Sequence, residues 1–107
     1  MASLSQAGPL AQGQLAAGWT AYTVPAGKVW KISGWDLANT SGSAESIKVA
    51  INGTADGNVI QPTVSLAAGQ SWPRYREMTL KAGTTLQFNA TSGGRVTVTV
   101  HGIEVTL

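Results

Sequence analysis

The apolar and polar positions of this chain follow a strand pattern along most of its length. Residues 46–52 alternate, with Ile47, Val49 and Ile51 on one side and Lys48, Ala50 and Asn52 on the other. That period of two is the signature of a half-buried strand. Residues 84–90 repeat it, with Leu86 and Phe88 predicted inward and Thr85, Gln87 and Asn89 outward. Residues 96–107 form the clearest run. Val96, Val98 and Val100 alternate with Thr97, Thr99 and His101, and after Gly102 the parity flips to apolar Ile103, Val105 and Leu107. A one-residue shift exchanges the faces of a strand. Gly102 is therefore predicted to be a bulge, or the point where the strand changes sheet or partner. The apolar Leu107 predicts a packed end. Further strands are predicted over residues 19–24, 28–37, 59–66 and 71–80. In the second of these, Val29, Trp30, Ile32, Trp35 and Leu37 fall on both parities, which predicts two covered faces or a bulge near Gly34. Pro62 predicts that its strand lies at an edge or breaks there.

The punctuation between these runs is turn chemistry. Pro25-Ala26-Gly27 is predicted to be a tight corner, with Pro at the second turn position and Gly supplying positive φ. The pattern returns as Leu66-Ala67-Ala68-Gly69-Gln70 and as Leu80-Lys81-Ala82-Gly83-Thr84. Residues 39–43, Asn52-Gly53, Asp56-Gly57-Asn58 and residues 92–94 read as loops. About eight strands and no helix predict an all-β fold, an antiparallel jelly-roll-like β-sandwich. An immunoglobulin-like sandwich is the second choice, without its Cys pair. Residues 1–18 stand apart. They carry no charged side chain, Gly8, Pro9 and Gly13 interrupt them, and Leu4, Leu10 and Leu15 are isolated apolar anchors. The expectation is an extended arm over 1–18, frayed or ordered on a neighbouring subunit, and a sandwich domain over 19–107.

Composition narrows the function. At 107 residues one domain is expected, and the absence of Cys excludes disulfides and thiolate metal sites. Charged residues make up 11% of the chain, roughly half the usual globular share. A net charge of +2, scattered along the chain, is too little for a nucleic-acid footprint. No apolar run is long enough to span a membrane as a helix, and residues 1–17 lack the basic and apolar regions of a secretory signal. His101 is the only histidine, and Asp36, Glu45, Asp56, Glu77 and Glu104 are the only acids. A hydrolytic triad would need His101, one of these acids and a serine, yet no nucleophile elbow marks any serine. Nor does anything select a carboxylate pair for glycosidase chemistry. Asp56-Gly57-Asn58 reads as a turn rather than a calcium loop, and Ser92-Gly93-Gly94-Arg95 as a hairpin turn rather than a phosphate loop. No enzyme, cofactor or metal is expected.

The aromatic residues carry the remaining candidates. Trp19, Trp30, Trp35 and Trp72 with Tyr22 and Tyr75 could form a sugar-stacking platform. The preferred reading places Trp30 and Trp35 in the core and gives Trp19, Tyr22, Trp72, Arg74, Tyr75 and Arg76 to a protein interface, together with Leu4, Leu10 and Leu15 of the arm. Trp, Tyr and Arg dominate interface hot spots. Two arginines beside Glu77 are too few for a single-stranded nucleic-acid patch.

An ordered set of short motifs also resembles a known class. It comprises Tyr-Thr-Val-Pro-Ala-Gly-Lys at 22–28, Leu-Ala-Asn-Thr-Ser-Gly at 37–42, Leu-Ala-Ala-Gly-Gln-Ser at 66–71, Leu-Lys-Ala-Gly-Thr-Thr-Leu at 80–86 and Val-Thr-Val-Thr-Val-His-Gly-Ile-Glu at 96–104. In this order they resemble small β-sandwich virion proteins of tailed bacteriophages, the capsid decoration and small tail or neck proteins. The resemblance implies a structural role in the virion, assembled in the host cytoplasm. It implies binding to the major capsid protein, self-association as a homotrimer and no catalytic residues. A tail or neck component, or a carbohydrate-binding module, is the alternative.

Overall fold

Three corners of one chemistry turn the chain. Pro25, Ala67 and Lys81 each accept a hydrogen bond from the amide three residues on, at 3.2, 3.0 and 3.1 Å. The third residue of each turn is Gly27, Gly69 or Gly83, with φ of 75°, 74° and 85°. Positive φ at that position is what a type II turn demands, and only glycine adopts it freely. Pro25 occupies the first turn position rather than the expected second, which falls to Ala26. The remaining connections are residues 15–17, the 40–44 loop, residues 52–58 with a short 3-10 turn at Asp56–Asn58, and the 91–95 turn.

The computed structural model describes residues 4–107, with side chains described from Leu10 onward. Its strands are β1 (Leu4–Gln14), β2 (Gly18–Thr23), β3 (Lys28–Asn39), β4 (Glu45–Ile51), β5 (Val59–Leu66), β6 (Ser71–Lys81), β7 (Thr85–Ala90) and β8 (Val96–Thr106). They form two four-stranded antiparallel sheets, ordered β1-β8-β3-β6 and β2-β7-β4-β5. Pairing is nested: β1 with β8, β2 with β7, β3 with β6 and β4 with β5. The β3–β8 and β4–β7 ladders join these pairs into sheets. This is an all-β jelly-roll-like sandwich, as the alternation predicts.

The two sheets differ in length. Strands of the first have 11 or 12 residues and those of the second 6 to 8. The long sheet therefore overhangs the short one, and the molecule measures 49 × 27 × 20 Å. Between the sheets lie Trp35, Leu37, Ile47, Val49, Leu86, Phe88, Val96, Val98 and Val100, all fully buried. The Trp35 ring meets Phe88 edge-on at 5.8 Å, and Tyr22 meets Phe88 at 6.1 Å. Each such pair adds about 0.5–1.5 kcal/mol beyond its buried area.

The register breaks of the long sheet explain two sequence signals. β3 slips between Ile32 and Gly34 against both neighbours, which moves its inward residues from Trp30 and Ile32 to Trp35 and Leu37. That is the bulge expected near Gly34. β1 slips between Pro9 and Ala11 against β8. β8 itself runs through Gly102 unbroken, because its neighbours take up the extra residues. Its parity therefore persists, and Ile103 and Val105 face outward rather than inward. Leu107 is 66% exposed, so the packed end predicted from it is not found, although its amide donates to the Gly27 carbonyl at 2.9 Å.

Of the segment expected as an arm over 1–18, Leu4–Gln14 supply the eighth strand, and residues 1–3 lie outside the described residues. Leu4 to Gln14 pair along β8, Leu15 is 1% exposed and Gly18 opens β2. The sequence 4–14 has no β-branched or aromatic residue, so local propensity hides it. The free edge of β8 supplies the backbone partners that hold it extended. The structure places β1 at an edge, together with β6 in the same sheet and β2 and β5 in the other. Pro9, Pro62 and Pro73 all lie on these edge strands, where a missing donor is tolerated and blocks pairing with another chain.

Asn39 fastens one end of the sandwich. It is 1% exposed. Its Nδ2 donates toward the carbonyls of Ser43, Leu66 and Ala67 at 2.7, 3.1 and 3.2 Å, and its Oδ1 accepts from the Ser41 amide and hydroxyl at 3.1 and 2.8 Å. One side chain thus joins the β3–β4 loop to the β5–β6 corner. Glu45 does the same for the β7–β8 turn, accepting from the Ser92 amide at 2.7 Å with Arg95 at 3.7 Å.

Candidate functional site

The expected interface residues do not share one surface. Leu15 is core, and Leu10 packs against the core with its side chain over Gly102. Leu4 pairs through its backbone with Thr106, while its side chain lies outside the described residues. Tyr22 points inward to Phe88, and burial raises its hydroxyl above the usual tyrosine pKa. Trp19 lies on β2 of the short sheet with the Lys48 Nζ 5.4 Å from its ring centroid.

The 72–76 cluster is split by strand alternation. Trp72 and Arg74 lie opposite Leu37 and Trp35 on the inner face of β6, where the Arg74 guanidinium sits 6.0 Å from the Trp72 ring. Arg76 lies in the register break, half-buried. Tyr75 projects from the outer face and is 90% exposed. Trp30 and Trp35 are core as expected, with Trp30 Nε1–H donating to Glu104 at 2.9 Å and Trp35 Nε1–H donating to Gln61 at 3.3 Å. The four tryptophans therefore form no common platform.

The outer face of the long sheet is where accessible chemistry gathers. Along its overhang, Val29 faces Val105 and Lys31 faces Ile103 across the β3–β8 ladder, while Lys81 faces Val29 across β3–β6. Ile103 is 40% exposed, and Val29 and Val105 are half-buried. Among the described residues this is a partly exposed apolar strip flanked by two lysines. Parity made the strip apolar in sequence, but only the unbroken course of β8 shows that it faces out.

Further along the same face, His101 Nε2 lies 2.8 Å from Asp36 Oδ2. This is the one histidine–acid pair a triad would need. Both side chains are about half exposed, and a surface pair of this kind contributes about 0–1 kcal/mol. Among the described residues no serine hydroxyl bonds to His101. Glu45 and Glu104 are held by the structural bonds already described, and no group of three or more metal-ligating side chains occurs among the described residues.

The nested two-sheet order defines the class: a jelly-roll-like β-sandwich, a fold used for structural and binding roles alike. No protein-family model matches the chain, and no curated protein matches it in sequence. Among solved structures, the fold is similar to one described as Bacillus endospore appendages that form a family of disulfide-linked pili. The TM-score is 0.56 at 16% identity over 98% of this chain and 88% of that one. It is also similar to the Drosophila NLP core, described in terms of pentamer formation and histone binding. There the TM-score is 0.52 at 13% identity over 87% of this chain and 95% of that one. These identities establish likeness of fold. The disulfide linkage of the appendages has no counterpart here, since this chain contains no Cys.

Proposed function

We propose that this protein is a structural component of a tailed-bacteriophage virion, a decoration protein that binds the major capsid protein and other copies of itself as a trimer, without catalysis. The observation that supports it best is the apolar strip of Val29, Ile103 and Val105 on the overhang. Apolar side chains left uncovered on the outside of a sheet mark a contact surface. The rim of Lys31 and Lys81 steers the strip toward an acidic or neutral partner. The ordered motifs add support, because they fall at structurally determining points: the 22–28, 66–71 and 80–86 motifs make the corners, 37–42 contains Asn39, and 96–104 makes up most of β8.

Copy number in purified particles, measured against the major capsid protein by quantitative mass spectrometry, tests the reading. A ratio near one, or a simple fraction of it, is expected for the shell lattice. A handful of copies per particle moves the chain to the tail or neck, and absence from particles refutes the virion role. Ile103→Asp, on the exposed strip, is expected to leave the fold intact and to weaken attachment.

A further inference from the structure

The register breaks of the long sheet lie side by side, at Pro9/Ala11 in β1, at Ile32/Gly34 in β3 and opposite Arg76 and Glu77 in β6. They crease its outer face. Two adjoining depressions occupy the crease. One, of about 400 Å³, is lined by Lys31, Ile32, Ser33, Glu77, Met78 and Thr79. The other, of about 200 Å³, is lined by Ser33, Gly34, Asp36, Tyr75 and His101, with Trp35 and Arg74 beneath them. Ser33 belongs to both. Gly34 sits between His101 and Tyr75 in the same cross-strand row, so no side chain fills the space beside the Tyr75 ring. The position is closed to larger residues, because a Cβ there would run into the Arg74 carbonyl oxygen.

Tyr75 is the unusual feature of this surface. A tyrosine in mid-strand, 90% exposed, leaves a large apolar ring in water with nothing packed against it. Around it stand hydroxyls (Ser33, Thr79), carboxylates (Asp36, Glu77) and cationic or neutral donors (Lys31, His101). Lys31 and Arg74, which also lines the second depression, offset Asp36 and Glu77, so the surface holds no net field for a phosphate or a polyanion.

We propose that this crease binds a neutral oligosaccharide, with one pyranose ring stacked on Tyr75. A pyranose presents an apolar C–H face and an edge of hydroxyls, each both donor and acceptor. The Tyr75 ring offers its electron-rich face to the C–H groups. The carboxylates accept from the edge hydroxyls, while Lys31 and the side-chain hydroxyls donate to them. Taken together, the adjoining depressions of about 400 and 200 Å³ suit a ligand of two or three sugar units, within the range of small-molecule sites. A protein partner suits the apolar strip better, since the crease mixes charged and hydroxyl side chains with its apolar ones and is open to water.

The test is an amide chemical-shift titration of the full chain with xylotriose, cellotriose, maltotriose and chitotriose. The expected result is saturable shifts with at least one of them, confined to residues 31–36, 74–79 and 101. Tyr75→Ala is expected to lower that affinity by about tenfold, the loss of one stacking contact, and Tyr75→Phe to preserve it. Asp36→Ala, two residues along β3 from Gly34 and beside His101, is expected to weaken it as well. Absence of saturable shifts with all four sugars overturns the proposal, as do shifts elsewhere or unchanged affinity in Tyr75→Ala. Loss of particle attachment in Tyr75→Ala, with no sugar bound by the unaltered chain, makes the crease a protein contact and also overturns it. Particle attachment through Ile103 is read separately, so the two proposals fail independently.

Discussion

Replacing Asn39 with Ala removes the bonds that join the β3–β4 loop to the β5–β6 corner. The Ser41 and Ser43 partners lie near solvent and can turn to water. The Leu66 carbonyl lies in a buried bond with Asn39 and cannot. A buried carbonyl left unpaired costs about 1–3 kcal/mol. The void left by the amide adds to this, for a total of about 2–4 kcal/mol. For a domain of this size each kcal/mol lowers Tm by about 4–8 °C, so a fall of about 10–25 °C is expected. Thermal unfolding followed by circular dichroism measures it, and urea titration with an unchanged slope verifies that only stability has moved. Asn39→Asp keeps the acceptor for Ser41 but sets a carboxylate against three carbonyl oxygens, and is expected to cost at least as much. A fall below about 3 °C for Asn39→Ala would refute the reasoning, because it would mean that the two loops are held without this side chain.

Three further outcomes follow from the geometry. Deleting residues 1–14 bares the β8 edge, and the truncated chain is expected to melt earlier and to associate on size-exclusion chromatography; an unchanged Tm would show that the β1–β8 ladder contributes nothing. Gly102→Ala sets a Cβ against the Lys31 carbonyl oxygen and within 2.9 Å of the Ile32 Cα, which is expected to cost at least about 1–3 kcal/mol in a chemical denaturation series. Tyr22, neutral in its partly buried site, has a folded-state pKa above its unfolded value of about 10. Its contribution is fully present below that unfolded pKa and is lost as pH rises through the folded pKa, so stability should decline above about pH 10 less steeply in Tyr22→Phe than in the unaltered chain.

Much of the fold was legible because its rules are local. The three Ala-Gly corners depend on glycine alone, and the valines of β8 and the β-branched residues of β4 announce their strands by alternation. The two parities of β3 announced its bulge. Pro62 lies on an edge strand, with register breaks between Ile47 and Val49 and again before Ala50 in the β4–β5 ladder. β1 was not legible, since its residues have no preference for a strand and it exists because β8 offers an unpaired edge. The site was less legible than the fold for the same reason. Tyr75, Gly34 and His101 are far apart in sequence and meet only through register, and that register is displaced by breaks that depend on all four strands. The parity flip at Gly102 predicts a bulge or a change of sheet or partner there, whereas the extra residues fall in β1 and β3, because parity reports which residues alternate, not which strand of a pair yields.

The nested pairing also has a temporal meaning. A ribosome releases β1 long before β8, its ladder partner, has been made. The β4–β5 hairpin, closed by the shortest intervening loop of the nested pairs, is placed to zip first, and each outer pair must close a longer loop at a greater entropic cost. β1 therefore spends translation as an unpaired segment that must neither fold alone nor stick to its neighbours. Its composition, Leu-Ser-Gln-Ala-Gly-Pro-Leu-Ala-Gln-Gly-Gln, suits that wait. With no β-branched residue, two glycines and a proline, it is a poor nucleus for aggregation, and it becomes a strand only when its partner arrives.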